Sequence, residues 1–192
     1  IDNYEISKQE GTLTVTNREA KYEITVKANS ATATYDGKEH EAVGVETYEF
    51  TVEGNSYTVS GLSTEDPKQK DAGSYTNNIT GTPVVTDKEG NVVTSEFEVK
   101  TENGSLEIGK AAVTLKSATL SKKYDGNALV NGDTALEVES GFAEGEGATY
   151  NFTGSQTVVG SSANAFSYEL NSNTNIDNYE ISKQEGTLTV TN

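Results

Sequence analysis

The chain has 192 residues, of which 30 are Asp or Glu and 14 are Lys or Arg, so its formal net charge is −16. A charge of this sign repels phosphate, which excludes nucleic acid as a main partner. Without cysteine the chain can form neither disulfides nor thiolate zinc sites. Its apolar runs are too short for a membrane span, so we expect no membrane insertion. The sequence also lacks methionine, and we expect it to be a fragment of a longer protein.

A repeat is the strongest pattern in the chain. Residues 1–17 read IDNYEISKQEGTLTVTN, and residues 176–192 have the identical sequence. An identity of this length reflects duplication, and it gives a period of 175 residues. We therefore expect residues 1–21 to be the tail of a preceding copy, made of a closing hairpin and a linker. We further expect this orphaned tail to be mobile or to pair with an exposed strand edge.

A weaker repeat divides the period into two modules. Residues 22–37 align without gaps to residues 111–126, and residues 97–108 align without gaps to residues 179–190. The chain is thus predicted to contain two homologous modules that differ by loop insertions. We name residues 22–110 module A and residues 111–192 module B.

Both modules have the sequence pattern of short β-strands. Apolar and polar residues alternate along the first strand of each module, and similar alternating runs recur downstream. Turn dipeptides such as Asn103-Gly104 and Glu185-Gly186 separate the runs. The pattern predicts an all-β chain of two tandem, small immunoglobulin-like β-sandwich modules arranged end to end. β-Grasp-like modules are the alternative, and one helical turn is expected at residues 68–72.

Two motifs support this interpretation. Asp71, Gly73 and Tyr75 fit the Asp-x-Gly-x-Tyr pattern of a tyrosine corner, in which the hydroxyl is tied back to the backbone. A Tyr-Asp-Gly triplet follows the first predicted strand of each module at the same distance. Its residues are Tyr35, Asp36 and Gly37 in module A, and Tyr124, Asp125 and Gly126 in module B.

In this order of motifs the chain resembles the YDG/MBG-type tandem repeats of Gram-positive cell-surface proteins. The long, near-identical period is similar to the tandem arrays of adhesins from such bacteria. The resemblance implies an extracellular location on the bacterial surface, with cell-wall anchoring through regions outside this chain. It also implies a stalk that projects a separate binding head.

Candidate sites for chemistry are weak. His40 lies in a charged turn, which favours a solvated residue over a metal ligand. Residues 171–178, together with Glu144 and Glu146, offer oxygen ligands for calcium, but they lack the spacing of a calcium loop and favour structural turns. We predict no catalytic, cofactor-binding or metal-binding residues, no cofactor and no enzymatic activity.

The function predicted from the sequence is a structural stalk segment whose partners are neighbouring repeats of the same chain. The short linkers restrict the relative rotation of modules and favour a stiff array. Contacts between modules are expected at five linker residues: Arg18, Glu19, Lys21, Lys110 and Ala111. The alternative is that the repeats themselves bind a host glycan or protein weakly, with avidity from their copy number.

Overall fold

A computed structural model of the chain describes residues 7–14, 20–132 and 135–192, and in this part of the chain the fold is all-β. Two short 3-10 helices, Thr94–Glu96 and Ile176–Asn178, precede the last two strands of each module. The strands of module A are β1 Tyr22–Lys27, β2 Ala31–Thr34, β3 His40–Glu41, β4 Glu49–Val52, β5 Asn55–Thr64, β6 Lys68–Gln69, β7 Gly73–Asn77, β8 Ile79–Asp87, β9 Phe97–Glu102 and β10 Gly104–Gly109. The strands of module B are β11 Ala111–Lys116, β12 Leu120–Lys123, β13 Leu129–Val130, β14 Val138–Ser140, β15 Ala148–Phe152, β16 Ser155–Gln156, β17 Gly160–Ala163, β18 Phe166–Leu170, β19 Tyr179–Gln184 and β20 Thr187–Thr191.

The first and last strands of each module pair in parallel. In module A, β1 pairs with β9 and β2 pairs with β10, which also pairs antiparallel with β7. In module B, β11 pairs with β19 and β12 pairs with β20, which also pairs antiparallel with β17. The remaining described pairs are β4–β5, β5–β8 and β3–β6 in module A, and β11–β14, β13–β16 and β15–β18 in module B.

The two modules share the same register in these parallel pairs. Tyr22 lies opposite Phe97 in module A, and Ala111 lies opposite Tyr179 at the equivalent place in module B. The equivalent positions are the ones that the internal sequence repeat aligns. The weak repeat therefore corresponds to a repeated strand arrangement.

The predicted closing hairpin is wrong. β9 and β10 are consecutive, but each pairs with a strand from the start of the module and not with the other, and β19 and β20 behave in the same way. The reason is a close backbone crossing at a glycine where one strand gives way to the next. A Cβ on Gly104 would collide with the carbonyl oxygen of Asn29, and one on Gly186 would collide with that of Ala118. The Asn-Gly and Glu-Gly dipeptides therefore mark a bend between two consecutive strands, β9 and β10 or β19 and β20. Each of these strands pairs with one of the first two strands of its module.

The repeated sequence has two different environments. Residues 7–14 contain no strand and are exposed, whereas the equivalent residues 182–189 lie mainly in β19 and β20. Leu13 is 100% exposed, and its counterpart Leu188 is fully buried. Residues 1–6 and 15–19, the rest of the predicted tail before Ala20, lie outside the described residues.

The predicted alternation of β1 and β11 is confirmed. Ile24 and Val26 are buried in module A, as are Val113 and Leu115 in module B. The predicted helical turn at residues 68–72 is wrong, because Lys68 and Gln69 pair antiparallel with β3.

Two hydrophobic clusters fill the interior of the described structure. One lies within module A around Val26, Val59, Val85 and Phe97. The other contains residues of both modules, among them Leu106 and Ile108 from module A and Leu115 and Phe166 from module B. The second cluster therefore continues across the boundary between the two ranges.

Candidate functional site: the junction between modules A and B

The Tyr-Asp-Gly triplet forms the same turn in both modules. The amide of Tyr35 donates to the carbonyl of Gly109 at 2.8 Å, and the amide of Tyr124 donates to that of Thr191 at the same distance. In each turn the glycine has a positive φ, 79° at Gly37 and 81° at Gly126, which glycine adopts without steric cost. The triplet thus fixes a tyrosine against the end of the last strand of its module.

The aspartate of each triplet closes the turn. Asp36 accepts the amide of Lys38 at 2.9 Å, and Asp125 accepts the amide of Asn127 at 2.9 Å. The amide of Lys38 and then His40 hold the pKa of Asp36 below its usual value. The ammonium of Lys122 and then the amide of Asn127 do the same for the pKa of Asp125. Both carboxylates therefore have a structural role in the turn.

The two tyrosines differ sharply in exposure. Tyr35 is 4% exposed, and Tyr124 is 56% exposed. Since their backbone positions are equivalent, the difference comes from what covers the side chain. Module B covers Tyr35.

Glu146 of module B makes the main polar contact with the buried Tyr35 side chain. Its side chain is 7% exposed and accepts two tyrosine hydroxyls, one from each module. Tyr35 donates to Oε1 at 2.5 Å, and Tyr179 donates to Oε2 at 2.8 Å. The Nζ of Lys70 lies 3.9 Å from the same Oε1. One carboxylate of module B is thus joined to two side chains of module A.

Aromatic packing surrounds these hydrogen bonds. The rings of Tyr35 and Tyr179 meet edge to face with centroids 5.3 Å apart, and the ring of Phe142 also meets that of Tyr179 edge to face at 5.2 Å. The Tyr179 hydroxyl also accepts the amide of Ala143 at 3.0 Å, which fixes the loop that carries Glu146. Edge-to-face pairs of this kind contribute about 0.5–1.5 kcal/mol beyond their buried area.

Burial and the carboxylate both favour the neutral form of these tyrosines. Burial raises the pKa of Tyr35 well above its usual value near 10, and the hydrogen bond to Glu146 raises it further. Burial also raises the pKa of Tyr179, and the amide of Ala143 partly opposes the effect by stabilising the oxyanion. Both hydroxyls therefore remain donors over the physiological pH range.

A second set of contacts joins the tyrosine corner to module B. The predicted corner hydrogen bond is present, because the Tyr75 hydroxyl donates to the carbonyl of Asp71 at 3.0 Å. Asn178 of module B is buried and binds this corner twice. Its side-chain carbonyl oxygen accepts the backbone amide of Ala72 at 2.8 Å, and its side-chain amide nitrogen donates to the carboxylate of Asp71 at 2.8 Å. The corner motif thus contacts module B as well as its own backbone.

The covalent connection at this junction is short. β10 ends at Gly109 and β11 begins at Ala111, so Lys110 alone lies between the two strands. Lys110 is exposed, and Ala111 is 7% exposed within the shared hydrophobic cluster. A Cβ on Gly37 would meet the Cβ of Ala143 at 3.1 Å, so the triplet of module A also lies close to module B.

The other junction predicted from sequence involves Arg18, Glu19 and Lys21. Arg18 and Glu19 lie outside the described residues. Lys21 is exposed immediately before β1.

Several of the candidate metal ligands are engaged by protein groups. His40 bonds Asp36 at 2.9 Å, and Glu146 binds the two tyrosines. Asn175 accepts the amide of Asp177, and Asn173 donates to the carbonyl of Gly145. Within residues 7–14, 20–132 and 135–192, no group of three His, Cys, Asp or Glu side chains is placed to hold a metal ion.

Comparison with protein-family models, curated proteins and solved structures found no match to this chain. None of the helices in the described ranges is long and apolar enough to cross a membrane.

Sequence reasoning did not identify Glu146, Asn178 or Tyr179 as junction residues. The sequence offers Glu146 only as a possible calcium ligand and gives no sign that Tyr179 or Asn178 contacts another module. One signal was present in the sequence: the triplet places a large aromatic residue in a charged, polar turn at both Tyr35 and Tyr124. An aromatic residue in such a turn needs a covering surface, which a neighbouring module can supply.

Proposed function

We propose that the chain is a segment of a tandem-repeat stalk, built from two small immunoglobulin-like β-sandwich modules that follow each other end to end. The observation that carries the proposal is the contact between Tyr35 of module A and Glu146 of module B. A buried, hydrogen-bonded contact of this kind restricts the angle between two modules, which a flexible linker does not. Stiff serial connection is the property that a stalk requires.

Other observations support the same function. The 175-residue period supplies the serial copies, and the net charge of −16 keeps a crowded array soluble. The location on a Gram-positive cell surface, and the projection of a separate binding head, rest on the resemblance of the motif order to YDG/MBG-type repeats.

Small-angle X-ray scattering tests the proposal. The 192-residue chain is compared with a chain lengthened by one 175-residue period. Two compact modules in series should add about 60–70 Å to the maximum dimension. A longer chain that gains little length has modules folded back on one another, which contradicts a stalk and favours the alternative of a binding surface formed by the repeats.

A further inference from the structure

We propose that a second junction, between module B and the module A of a following period, is built by Tyr124 on Glu53 and Tyr22. The inference rests on the proposed tandem array and specifies how one period binds the next. It identifies the partner of the exposed Tyr124 surface as a second copy of module A in the same chain.

The first observation is the position of Tyr124. Its backbone is held at the end of module B by the same amide hydrogen bond that holds Tyr35 at the end of module A. Tyr35 carries its hydroxyl and ring into the next module, where it is 4% exposed. Tyr124 is 56% exposed, so its ring is left uncovered by the described part of the chain.

The second observation is that module A has a receiving surface like that of module B. In module B the cross-strand pair Ala111–Tyr179 supplies a hydroxyl that Glu146 accepts at 2.8 Å. In module A the equivalent pair is Tyr22–Phe97, and the Tyr22 hydroxyl donates to Glu53 at 2.7 Å.

The tyrosine of the pair thus lies on the first strand in module A, as Tyr22, and on the strand paired with it in module B, as Tyr179. In both modules its hydroxyl donates to a glutamate. The half-buried ring of Tyr22 provides the aromatic part of the surface, and the buried Phe97 ring supports it at a centroid distance of 5.6 Å. Glu146 shows that one carboxylate can accept two tyrosine hydroxyls, so Glu53 can accept that of Tyr124 beside that of Tyr22.

Sequence order and charge support this occupant. Residues 1–17 repeat the end of module B and stand directly before module A, so the chain itself contains the order B then A. Lys122 is paired with Asp125 at 2.7 Å, but the exposed Lys123 beside Tyr124 brings positive charge to this turn, as Lys70 does beside Glu146. The facing residue in module A, Glu53, is acidic and exposed.

The linker alone does not hold this second junction together. In sequence, residues 17–21 lie between Tyr22 and Thr16, the counterpart of the strand end Thr191, whereas Lys110 alone separates β10 from β11. Five residues can span up to about 20 Å when extended. Side-chain contacts are therefore needed to fix the second junction, and they can be tested separately from the linker.

The test is nitration of tyrosines by tetranitromethane, located by peptide mass spectrometry, in the 192-residue chain and in a chain lengthened by one period. In the 192-residue chain Tyr124 should react quickly and Tyr35 slowly. In the longer chain the peptide that contains Tyr124 should split into two equal populations. One, from the inner junction, should react as slowly as Tyr35, and the other, from the end of the second period, should stay fast. A single fast population in the longer chain overturns the inference.

Two further measurements make the result specific. Glu53→Ala in the second period should return the slow population to the fast rate, whereas the matched variant Glu49→Ala, at another exposed glutamate of the same module, should leave it slow. A slow population that survives Glu53→Ala overturns the assignment of Glu53. Small-angle scattering of the same samples separates the two proposals: full extension with a fast Tyr124 overturns only this junction, and a lack of extension overturns the stalk itself.

Discussion

Tyr35 and Tyr124 occupy equivalent backbone positions in residues 22–110 and 111–192, and Tyr35 is buried while Tyr124 is exposed. Each donates its amide at 2.8 Å to the end of the last strand, yet their exposed fractions are 4% and 56%. The chain therefore contains a matched pair of tyrosines in which one side chain makes the contact between modules and the other serves as its control.

Substitution of Tyr35 by Phe removes one hydroxyl from the partly enclosed Glu146 and leaves the ring in place. Because a hydrogen bond to a charged group contributes about 1.5–3 kcal/mol, Tyr35→Phe should lower the free energy of unfolding by that amount. Tyr124→Phe should change it by less than about 0.5 kcal/mol, as exposed substitutions do. Urea denaturation of both variants measures the difference. Equal effects at the two positions would contradict the contact.

The pH dependence of stability provides a second test. The pKa of Tyr35 is raised in the folded protein, mainly by burial, so the folded state keeps this proton at a pH where the unfolded state loses it. Stability from this group is fully present below about pH 10, and it is lost as the pH rises towards the folded pKa.

Each such proton gives a slope of about −1.4 kcal/mol per pH unit in this range. Between about pH 10 and 12, Tyr35→Phe should make the slope of the unfolding free energy against pH less negative by up to that amount. All other titratable groups are common to the two proteins, so the difference from the unsubstituted chain isolates the tyrosine. An unchanged slope would show that the Tyr35 hydroxyl titrates as it does in solvent.

Removal of Glu146 should be more damaging than removal of its neighbour Glu144. Glu146→Ala deprives the hydroxyls of Tyr35 and Tyr179 of their acceptor and should cost about 2–3 kcal/mol, since buried donors are left unsatisfied. Glu144 is exposed in the same loop, and Glu144→Ala should cost less than about 0.5 kcal/mol. Thermal unfolding compares the two variants. A Glu144 variant as unstable as the Glu146 variant would point to the loop and not to the carboxylate.

Gly11 and Gly186 occupy the same place in the two copies of the repeated segment, so one can serve as a control for the other. A Cβ at Gly186 would collide with the backbone of Ser117 and Ala118, whereas a Cβ at Gly11 would meet no atom within 4 Å. Gly186→Ala should therefore cost at least about 2 kcal/mol, because the two crossing backbones must separate. Gly11→Ala should leave the unfolding midpoint unchanged. Similar losses in both variants would contradict the different environments of the two copies.

Local pattern predicted much of the fold. Alternation located β1 and β11, and the Asp-x-Gly-x-Tyr pattern predicted the hydrogen bond from Tyr75 to Asp71. These features depend on residues close in sequence or on a period of two, which a single chain displays directly. The all-β class follows from the same signals.

Features that depend on distant atoms were not predictable. Asn103-Gly104 has the sequence of a hairpin turn, but the approach of the Asn29 carbonyl makes it a bend between strands that pair elsewhere. Glu146 is one acid among 30, and nothing local distinguishes it. Its role follows from a hydrogen bond to a residue 111 positions away.

The most direct test of the account is whether modules A and B reorient independently. Amide residual dipolar couplings of the full chain, measured in one aligning medium, give the alignment tensor of each module. The Tyr35–Glu146 junction predicts that one tensor describes both modules, and that Tyr35→Ser combined with Glu146→Ala divides it into two. Two different tensors in the unsubstituted chain would mean that the modules are joined by a flexible linker, and that the contact between them does not support a stiff stalk.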